Sequence, residues 1–201
     1  MTEQAPWLVP VALRNAQAML VPLSTLHLPD LQQAVQDGEL WKLWYTFVPS
    51  PDTMAEAIAT RLANQREGTW LPFSVLDPES GRAVGMTNYM HVDARSRRIE
   101  IGGTWYRRSV QRTPLNTACK LLLLTHAFEQ LDCIAVEFRT HFFNHASRRA
   151  IERLGAKLDG VLRNHQRMPD GTLRDTCVYS ILPGEWPTVK VHLLHQLARA
   201  S

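Results

Sequence analysis

Apolar positions recur along this chain at two spacings, and their alternation predicts a sheet with helices between its strands. Short apolar or alternating runs typical of β-strands occupy residues 19–23, 70–76, 83–90, 99–106, 133–139, 158–166 and 172–182. Helical spacing or strong helix formers occupy residues 29–36, 55–64, 116–131 and 144–153, and a helical tail is expected from about residue 184. This mixed order favours an α/β fold in which one layered sheet carries helices on its faces.

The composition is that of an ordinary globular protein. The chain has 201 residues, of which 45% are hydrophobic and 20% are charged, enough for one sizeable core. A formal net charge of +3 is too small to point to nucleic acid as a partner. No run approaches the ~20 apolar residues of a membrane span, so no membrane partner is expected.

The cysteines and the first residues favour a cytoplasmic protein. Cys119, Cys133 and Cys177 are odd in number, far apart and without a C-x-x-C pair, which favours reduced thiols. Residues 1–6 contain Glu3 and lack a basic segment followed by an apolar one, so no signal peptide is expected.

The most informative stretch is residues 99–120, where a predicted strand, a short turn and a helix start follow one another. The first N–H groups of a helix have no intrahelical partner and the helix dipole is positive there, so this point suits an anion such as a diphosphate. Three basic residues add positive charge beside it: Arg107, Arg108 and Arg112. The alternative is an ordinary helix start, with Thr113 or Asn116 as its cap and Pro114 in its first turn.

Residues 111–116, Gln-Arg-Thr-Pro-Leu-Asn, resemble the acetyl-CoA diphosphate loop of the GNAT acyltransferase superfamily. Gln111 fits the first position of that loop, and Pro114 and Asn116 occupy its two small-residue positions, where Gly or Ala is commonest. The wider run from Ile-Gly-Gly-Thr-Trp-Tyr through Asn-Thr-Ala-Cys-Lys is similar to the RimJ/RimL-like branch. The same holds for Asn-His-Ala-Ser at 144–147, for Leu-Gly at 154–155, and for the tail segments 161–165, 169–171 and 174–176.

This resemblance extends from about residue 9 to about residue 194, and it implies a fold, a cosubstrate and a set of binding residues. The implied fold is a mixed, mostly antiparallel central sheet with helices on both faces, in a single acetyltransferase domain over residues 1–201. The implied cosubstrate is acetyl-CoA, and no metal is expected. The residues that the resemblance assigns to acetyl-CoA are Thr104, Trp105, Tyr106, Gln111, Arg112, Thr113, Pro114, Leu115, Asn116, Thr117, Asn144 and Ser147.

The implied activity is N-acetyl transfer from acetyl-CoA to a primary amine, either a protein N-terminal α-amine or a small molecule. Two other classes stay open at this point. One is a non-catalytic acyl-CoA-binding regulatory module, and the other is a nucleic-acid-binding protein that uses the arginines between residues 95 and 112. The sequence does not specify the oligomeric state, and a homodimer stays open.

The resemblance assigns catalytic roles to Glu100 and Ser147. Glu100 would accept the amine proton, often through water, and its structural alternative is an ion pair with Arg98. Ser147 would protonate the departing thiolate, while Asn144 would bind the pantetheine amides or act as a plain helix cap. Since no cysteine lies beside a histidine and all three are expected to be buried, direct attack without an acetyl-enzyme is expected.

The remaining candidates are weaker. His141 and His145 have the spacing of a metal pair but lack a third ligand, so partly exposed histidines near a polar cleft are the favoured interpretation. Three aromatic residues either pack in the protein interior or cover the acceptor site: Trp41, Trp44 and Tyr45. Four polar residues of the last hairpin either pair across it or line the acceptor pocket: Arg163, His165, Arg174 and Asp175.

Overall fold

An eight-stranded sheet forms the centre of the computed structural model, which describes residues 7–199. The strands are β1 (Leu13–Arg14), β2 (Met19–Pro22), β3 (Leu71–Leu76), β4 (Ala83–Asp93), β5 (Arg98–Tyr106), β6 (Ala135–His141), β7 (Lys157–Arg167) and β8 (Leu173–Ile181). Their order is β1-β2-β3-β4-β5-β6-β8-β7, and every neighbouring pair is antiparallel except β5 and β6. The predicted mixed, mostly antiparallel sheet is therefore confirmed. The expectation about residues 1–6 lies outside the described residues.

Residues 7–199 form five α-helices close to where the apolar spacing predicts them, four between strands and one after β8. They are α1 (Leu28–Gln36), α2 (Met54–Arg66), α3 (Leu115–Glu129), α4 (His145–Arg153) and α5 (Trp186–Ala198). The pattern did not reveal β1, because a two-residue strand is too short to show an alternation. The aromatic segment around Trp41 contains one 3₁₀ turn, Leu40–Lys42, and otherwise runs as irregular chain up to α2.

The two faces of the sheet bury separate apolar cores, which confirms the prediction of helices on both faces. Helices α3 and α5 cover one face, where the hydroxyl of the fully buried Tyr89 donates a hydrogen bond of 2.6 Å to the carbonyl of Leu123. Helices α1 and α2 cover the other face, where they pack on Met86 and Trp105. We call these the α3 face and the α1/α2 face. Burial of these apolar side chains is the main stabilising contribution, at about 25 cal/mol per Å².

The predicted helical tail is α5, which packs against α3. Val189, Leu193 and Leu197 join the core of the α3 face. The indole of Trp186 donates a 2.8 Å hydrogen bond to Glu129, the last residue of α3. Within residues 7–199, no helix combines the length and the hydropathy needed to span a bilayer.

Candidate active site

A cleft of about 760 Å³ opens where β5 and β6 diverge. Their parallel pairing covers only three residues of each strand and ends at Glu100 and Glu137. Beyond that pair, β5 continues to Tyr106 and β6 to His141, and both continuations line the cleft. The edges that face each other there are not joined by a strand ladder, so their backbone N–H and C=O groups can bind a ligand.

A bulge in β5 shapes one wall of this cleft. The register with β4 shifts between Gly102 and Trp105, and Gly103 has a φ of 57°, which favours glycine. Both glycines line the cleft, together with Thr104, Trp105 and Tyr106. The bulge therefore lies in the cleft wall, where its glycines have no side chain to keep a ligand away from the backbone.

The loop after β5 brings the start of α3 to the cleft. Gln111, Arg112, Thr113 and Asn116 line the cleft, and Arg112 has a φ of 63°. The N-cap position of α3 is Pro114, which makes no side-chain hydrogen bond to the helix. Thr113 lies one residue before that position, and its hydroxyl donates to the carbonyl of Val110 at 2.7 Å and accepts a long hydrogen bond of 3.4 Å from the amide of Leu115. The alternative with Thr113 as the cap therefore holds in part, for the first amide of the helix alone, and the alternative with Asn116 is wrong.

A first turn without a side-chain cap at its N-cap position leaves N–H donors and a positive dipole end directed at whatever occupies this end of the cleft. The side chains of Pro114, Leu115 and Thr117 do not line the cleft, and those of Leu115 and Thr117 are buried. Of the assigned residues in this loop, these three can therefore contribute only through their backbone.

The positive charge beside this turn comes largely from residues other than those the sequence indicated. Arg107 is paired with Asp37 at 3.0 Å, and neither Arg107 nor Arg108 lines the cleft. Arg112 does, and Arg149 and Arg153 join it from α4. Their spacing of four residues, which places both on one face of a helix, was the available signal in the sequence.

Asn144 and Ser147 hold the start of α4 against the cleft. The side-chain oxygen of Asn144 accepts a 3.0 Å hydrogen bond from the amide of Ser147, so the N-cap interpretation of Asn144 is confirmed. Both residues line the cleft. The Asn144 amide nitrogen and the Ser147 hydroxyl have no hydrogen-bond partner among residues 7–199, which leaves both available to a ligand.

Glu100 lines a smaller cavity of about 170 Å³ and adjoins the main cleft at Gly102. Its carboxylate is buried, with one oxygen 2.8 Å from His91 Nδ1 and 3.5 Å from Arg139 Nε. The expected partner Arg98 is wrong, because Arg98 pairs with Glu137 instead. The other oxygen faces the space left by Gly102, where a Cβ would lie 2.5 Å from it. The hydrogen bond to Glu100 raises the pKa of His91, whose side chain is 57% exposed.

Lys120 is a cleft residue that the sequence did not single out. It lies on α3, and its ammonium donates to the hydroxyls of Thr104 at 2.8 Å and Thr87 at 3.3 Å. No carboxylate of the described chain lies within ion-pair distance of it, and burial lowers its pKa to about 8. The sequence did carry a sign of this buried lysine. A lysine within a Leu-rich helix must either be buried or interrupt the apolar surface of that helix.

A second set of side chains enters the cleft from the α1/α2 face. Register places Arg139 and His141 on the same face as Glu100, and Arg174 shares it because β8 pairs Thr176 with His141. Tyr45 and Phe47 line the same region, while Trp44 packs edge-on against His141 with ring centroids 5.1 Å apart. Trp41 packs instead with the α1/α2 core.

The expectations for the two histidines and for the last hairpin are each confirmed only in part. His141 is buried rather than partly exposed, whereas His145 is exposed. Over residues 7–199 no group of three or more His, Cys, Asp or Glu side chains could hold a metal ion. Arg163 pairs with Asp175 at 2.6 Å, and His165 contacts Thr176 at 3.1 Å, so the expected structural pairing holds for them and Arg174 alone lines the cleft.

The cysteines are buried and free, as expected. Burial raises the pKa of Cys119 and that of Cys133 to about 12. Neither thiol forms a thiolate near neutral pH, so neither is a suitable nucleophile.

The matches to known proteins agree with this geometry. A family model described as an acetyltransferase (GNAT) domain matches residues 17–157. The Bacillus subtilis (strain 168) protein named "Putative ribosomal N-acetyltransferase YdaF" is 31% identical over 106 residues, 53% of this chain and 57% of that protein. The match thus spans little more than half of that relative, whose name agrees with the RimJ/RimL-like resemblance.

Solved structures share the fold over almost the whole chain. A GCN5-related N-acetyltransferase from Brucella melitensis matches with a TM-score of 0.84 and 25% identity, over 98% of this chain and 90% of that chain. The acetyltransferase that modifies the N-terminal serine of ribosomal protein L7/L12 from Salmonella typhimurium matches with a TM-score of 0.75 over 86% of this chain and 99% of that chain. Its 16% identity shows the shared fold alone. Since the GNAT family model matches more than half of the length of this chain, the chain belongs to the GNAT acetyltransferase family.

Proposed function

We propose that this protein transfers an acetyl group from acetyl-CoA to a primary amine by direct attack of the amine on the thioester. The observation that carries the proposal is the cleft between β5 and β6, which the start of α3 borders and which adjoins a buried carboxylate, Glu100, at Gly102. Holding two reactants together in such a cleft can contribute roughly 7–11 kcal/mol to lowering the barrier.

Charge supports acetyl-CoA as the occupant. Six basic residues line the cleft and no described Asp or Glu does: the basic residues are Arg112, Lys120, Arg139, Arg149, Arg153 and Arg174. Arg112, Arg149 and Arg153, with the first N–H groups of α3, would bind the phosphates of CoA. The free amide nitrogen of Asn144 would donate to the pantetheine arm.

The proton route follows from the position of Glu100. One carboxylate oxygen faces the space beside Gly102 in the cleft, and the other contacts the partly exposed His91. Glu100 would take the amine proton, directly or through water, and His91 would pass it to solvent. The Ser147 hydroxyl would supply a proton to the departing thiolate.

The acceptor proposal rests on one relative. The Bacillus subtilis protein, 31% identical over 106 residues, has the name "Putative ribosomal N-acetyltransferase YdaF". We therefore infer that a protein N-terminal α-amine is the first acceptor class to test. Three buried free thiols fit a reducing compartment such as the cytoplasm.

The direct test is a screen of peptide and small-molecule amines with acetyl-CoA, in which release of the free CoA thiol is followed. We expect thiol release with at least one primary amine. We also expect no acetyl label on Cys119, Cys133 or Cys177 after incubation with labelled acetyl-CoA in the absence of amine. CoA binding without turnover on any amine would favour the regulatory module, and a label that is later passed to an amine would exclude direct attack.

Placement of the diphosphate at the start of α3 predicts opposite effects of Asn116→Asp on binding and on stability. A carboxylate there repels the anion, so we expect affinity for CoA to fall about tenfold or more. The same carboxylate interacts favourably with the helix dipole, so the free energy of unfolding should stay equal or rise by about 0.3–1 kcal/mol. Calorimetric titration with CoA and thermal unfolding measure the two quantities.

The matched control is Gln130→Glu, the same charge change at the exposed far end of α3. It should leave CoA affinity unchanged. Unchanged affinity in Asn116→Asp would place the diphosphate elsewhere.

A further inference from the structure

Two opposite charges occupy the α1/α2 face of the cleft region. Glu100 lies on β5 and Arg174 on β8, and register puts Arg139 and His141 on the same face between them. Burial lowers the pKa of Arg174, and the negative charge of Glu100 acts against that shift, so the two groups attract each other. An acceptor entering from this face therefore meets a carboxylate that suits its amine and a guanidinium whose role the proposed reaction leaves open.

Arg174 has unused binding capacity. Its Nε donates to the Thr176 hydroxyl at 3.0 Å, and the guanidinium carbon lies 5.6 Å from the centre of the Phe47 ring. No carboxylate of residues 7–199 lies within ion-pair distance of Arg174. The neighbouring Asp175 is held by Arg163 at 2.6 Å and by the amide of Asn164 at 2.8 Å. The terminal guanidinium nitrogens thus line the cleft without a partner of opposite charge.

His141 adds a neutral donor beside Arg174. The amide of Phe143 donates to His141 Nδ1 at 3.1 Å, so in the neutral ring the proton is carried by Nε2. That Nε2 is buried and has no hydrogen-bond partner among the described residues. Burial and the nearby Arg174 lower the pKa of His141, which keeps the ring neutral.

We propose that the preferred acceptor carries a carboxylate close to its reactive amine, and that Arg174, with His141 beside it, binds this carboxylate while the amine faces Glu100. The proposal rests on the proposed acetyl transfer and names the substrate class of the same site. The carboxylate has two sources, the α-carboxylate of a free amino acid or an acidic side chain next to a peptide N-terminus.

The charge balance of the cleft supports this class. Arg139 is paired with Glu137 at 2.9 Å, whereas no carboxylate of residues 7–199 pairs with Arg174, so a purely cationic acceptor such as a polyamine meets uncompensated positive charge at Arg174. A carboxylate on the acceptor removes that repulsion. A guanidinium also binds a carboxylate through two parallel hydrogen bonds, which fixes the orientation of the acceptor.

The test compares acceptors with and without the carboxylate, and kcat/KM is expressed per unprotonated amine because the carboxylate also raises the pKa of that amine. One pair is serine and serinamide, and the other is the peptide amides Ser-Asp-Ala and Ser-Asn-Ala. In at least one pair we expect the acidic member to have the higher kcat/KM. In Arg174→Gln the ratio of kcat/KM between the acidic and the neutral member should fall about 10- to 100-fold, as expected for loss of a charged hydrogen bond. The kcat/KM of the neutral member should change less than about threefold.

The control variant is Arg167→Gln, which removes the same charge from the same hairpin at an exposed residue outside the cleft. It should leave the preference unchanged. The pair that shows the preference identifies the source of the carboxylate. Equal kcat/KM within both wild-type pairs, or an equal loss for acidic and neutral acceptors in Arg174→Gln, would overturn the proposal.

A binding measurement separates this proposal from the acetyl transfer itself. N-acetylserine and the acetylated Ser-Asp-Ala amide are the corresponding products, and calorimetry measures their affinity for the CoA-loaded protein without turnover. We expect at least one to bind and to bind about tenfold more weakly to Arg174→Gln. Thiol release with neutral amines but no Arg174-dependent product binding would reject the subsite and retain the acetyltransferase.

Discussion

Glu100→Gln should lower kcat/KM for amine acetylation by about 10²–10⁴-fold near neutral pH, the usual contribution of a general base. A glutamine keeps the size of the side chain and a hydrogen bond to His91, but it cannot accept the amine proton. The loss should be greatest at low pH, where the acceptor is mostly protonated. It should shrink as pH rises, because free amine then needs less assistance. Steady-state kinetics from pH 6 to pH 10 would measure this profile.

Glu137→Gln provides the matched control for that variant. Glu137 pairs with Glu100 across the strands and shares its face, but it is bound to Arg98 and to Arg139 at 2.9 Å and does not line the main cleft. We expect this variant to change kcat/KM only a few-fold and both variants to bind CoA normally. Glu100→Gln with wild-type kcat/KM at every pH would assign Glu100 a structural role with His91 and Arg139.

The elements of this fold were readable from the sequence where the apolar pattern was long. Helix α3 is an example, because its Leu-rich run after a predicted strand correctly predicted the helix; the anion site at its start stays a prediction. The divergence of β5 and β6 was not readable, because it depends on where a parallel ladder stops. The ladder ends at Glu100 and Glu137, and the Gly102–Gly103 bulge follows in β5; periodicity records neither feature.

The partners of charged residues were the least predictable part of the site. Arg107 and Arg108 precede the proposed anion site in sequence, yet Arg107 forms an ion pair with Asp37. Glu100 pairs with His91 across a hairpin, although Arg98 lies two residues away on its own strand. Ion pairs depend on which side chains share a face, and a single irregular residue changes that face. Arg149, Arg153 and Arg174 reach the cleft from elements far away in sequence, so only the assembled fold brings them together.

Lys120→Met should raise the free energy of unfolding near neutral pH by on the order of 3 kcal/mol, and this gain should disappear as pH approaches 10.5. The buried ammonium has a pKa of about 8 in the folded protein against 10.5 for an ordinary lysine. Between these values the unfolded chain binds more protons than the folded one, so wild-type stability rises with pH through this window. Below about pH 8 both states carry the proton and the full cost of burying the charge is present. Methionine removes that cost at every pH, so the difference between variant and wild type is largest there.

Urea unfolding of both proteins at pH 7, 8, 9 and 10 measures the difference. Taking the difference cancels other groups that ionise in this range, and Cys119 next to Lys120 stays protonated in both proteins because burial raises its pKa to about 12. Thr87 and Thr104 keep their mutual hydrogen bond of 2.8 Å when the lysine is lost. We expect the stabilised variant to bind CoA more weakly, because it has lost a cation that lines the cleft. A pH-independent difference would mean that Lys120 is not buried as a charge. Unchanged CoA affinity would mean that the charge of Lys120 does not contribute to binding CoA. The buried ammonium would then have no role in cofactor binding.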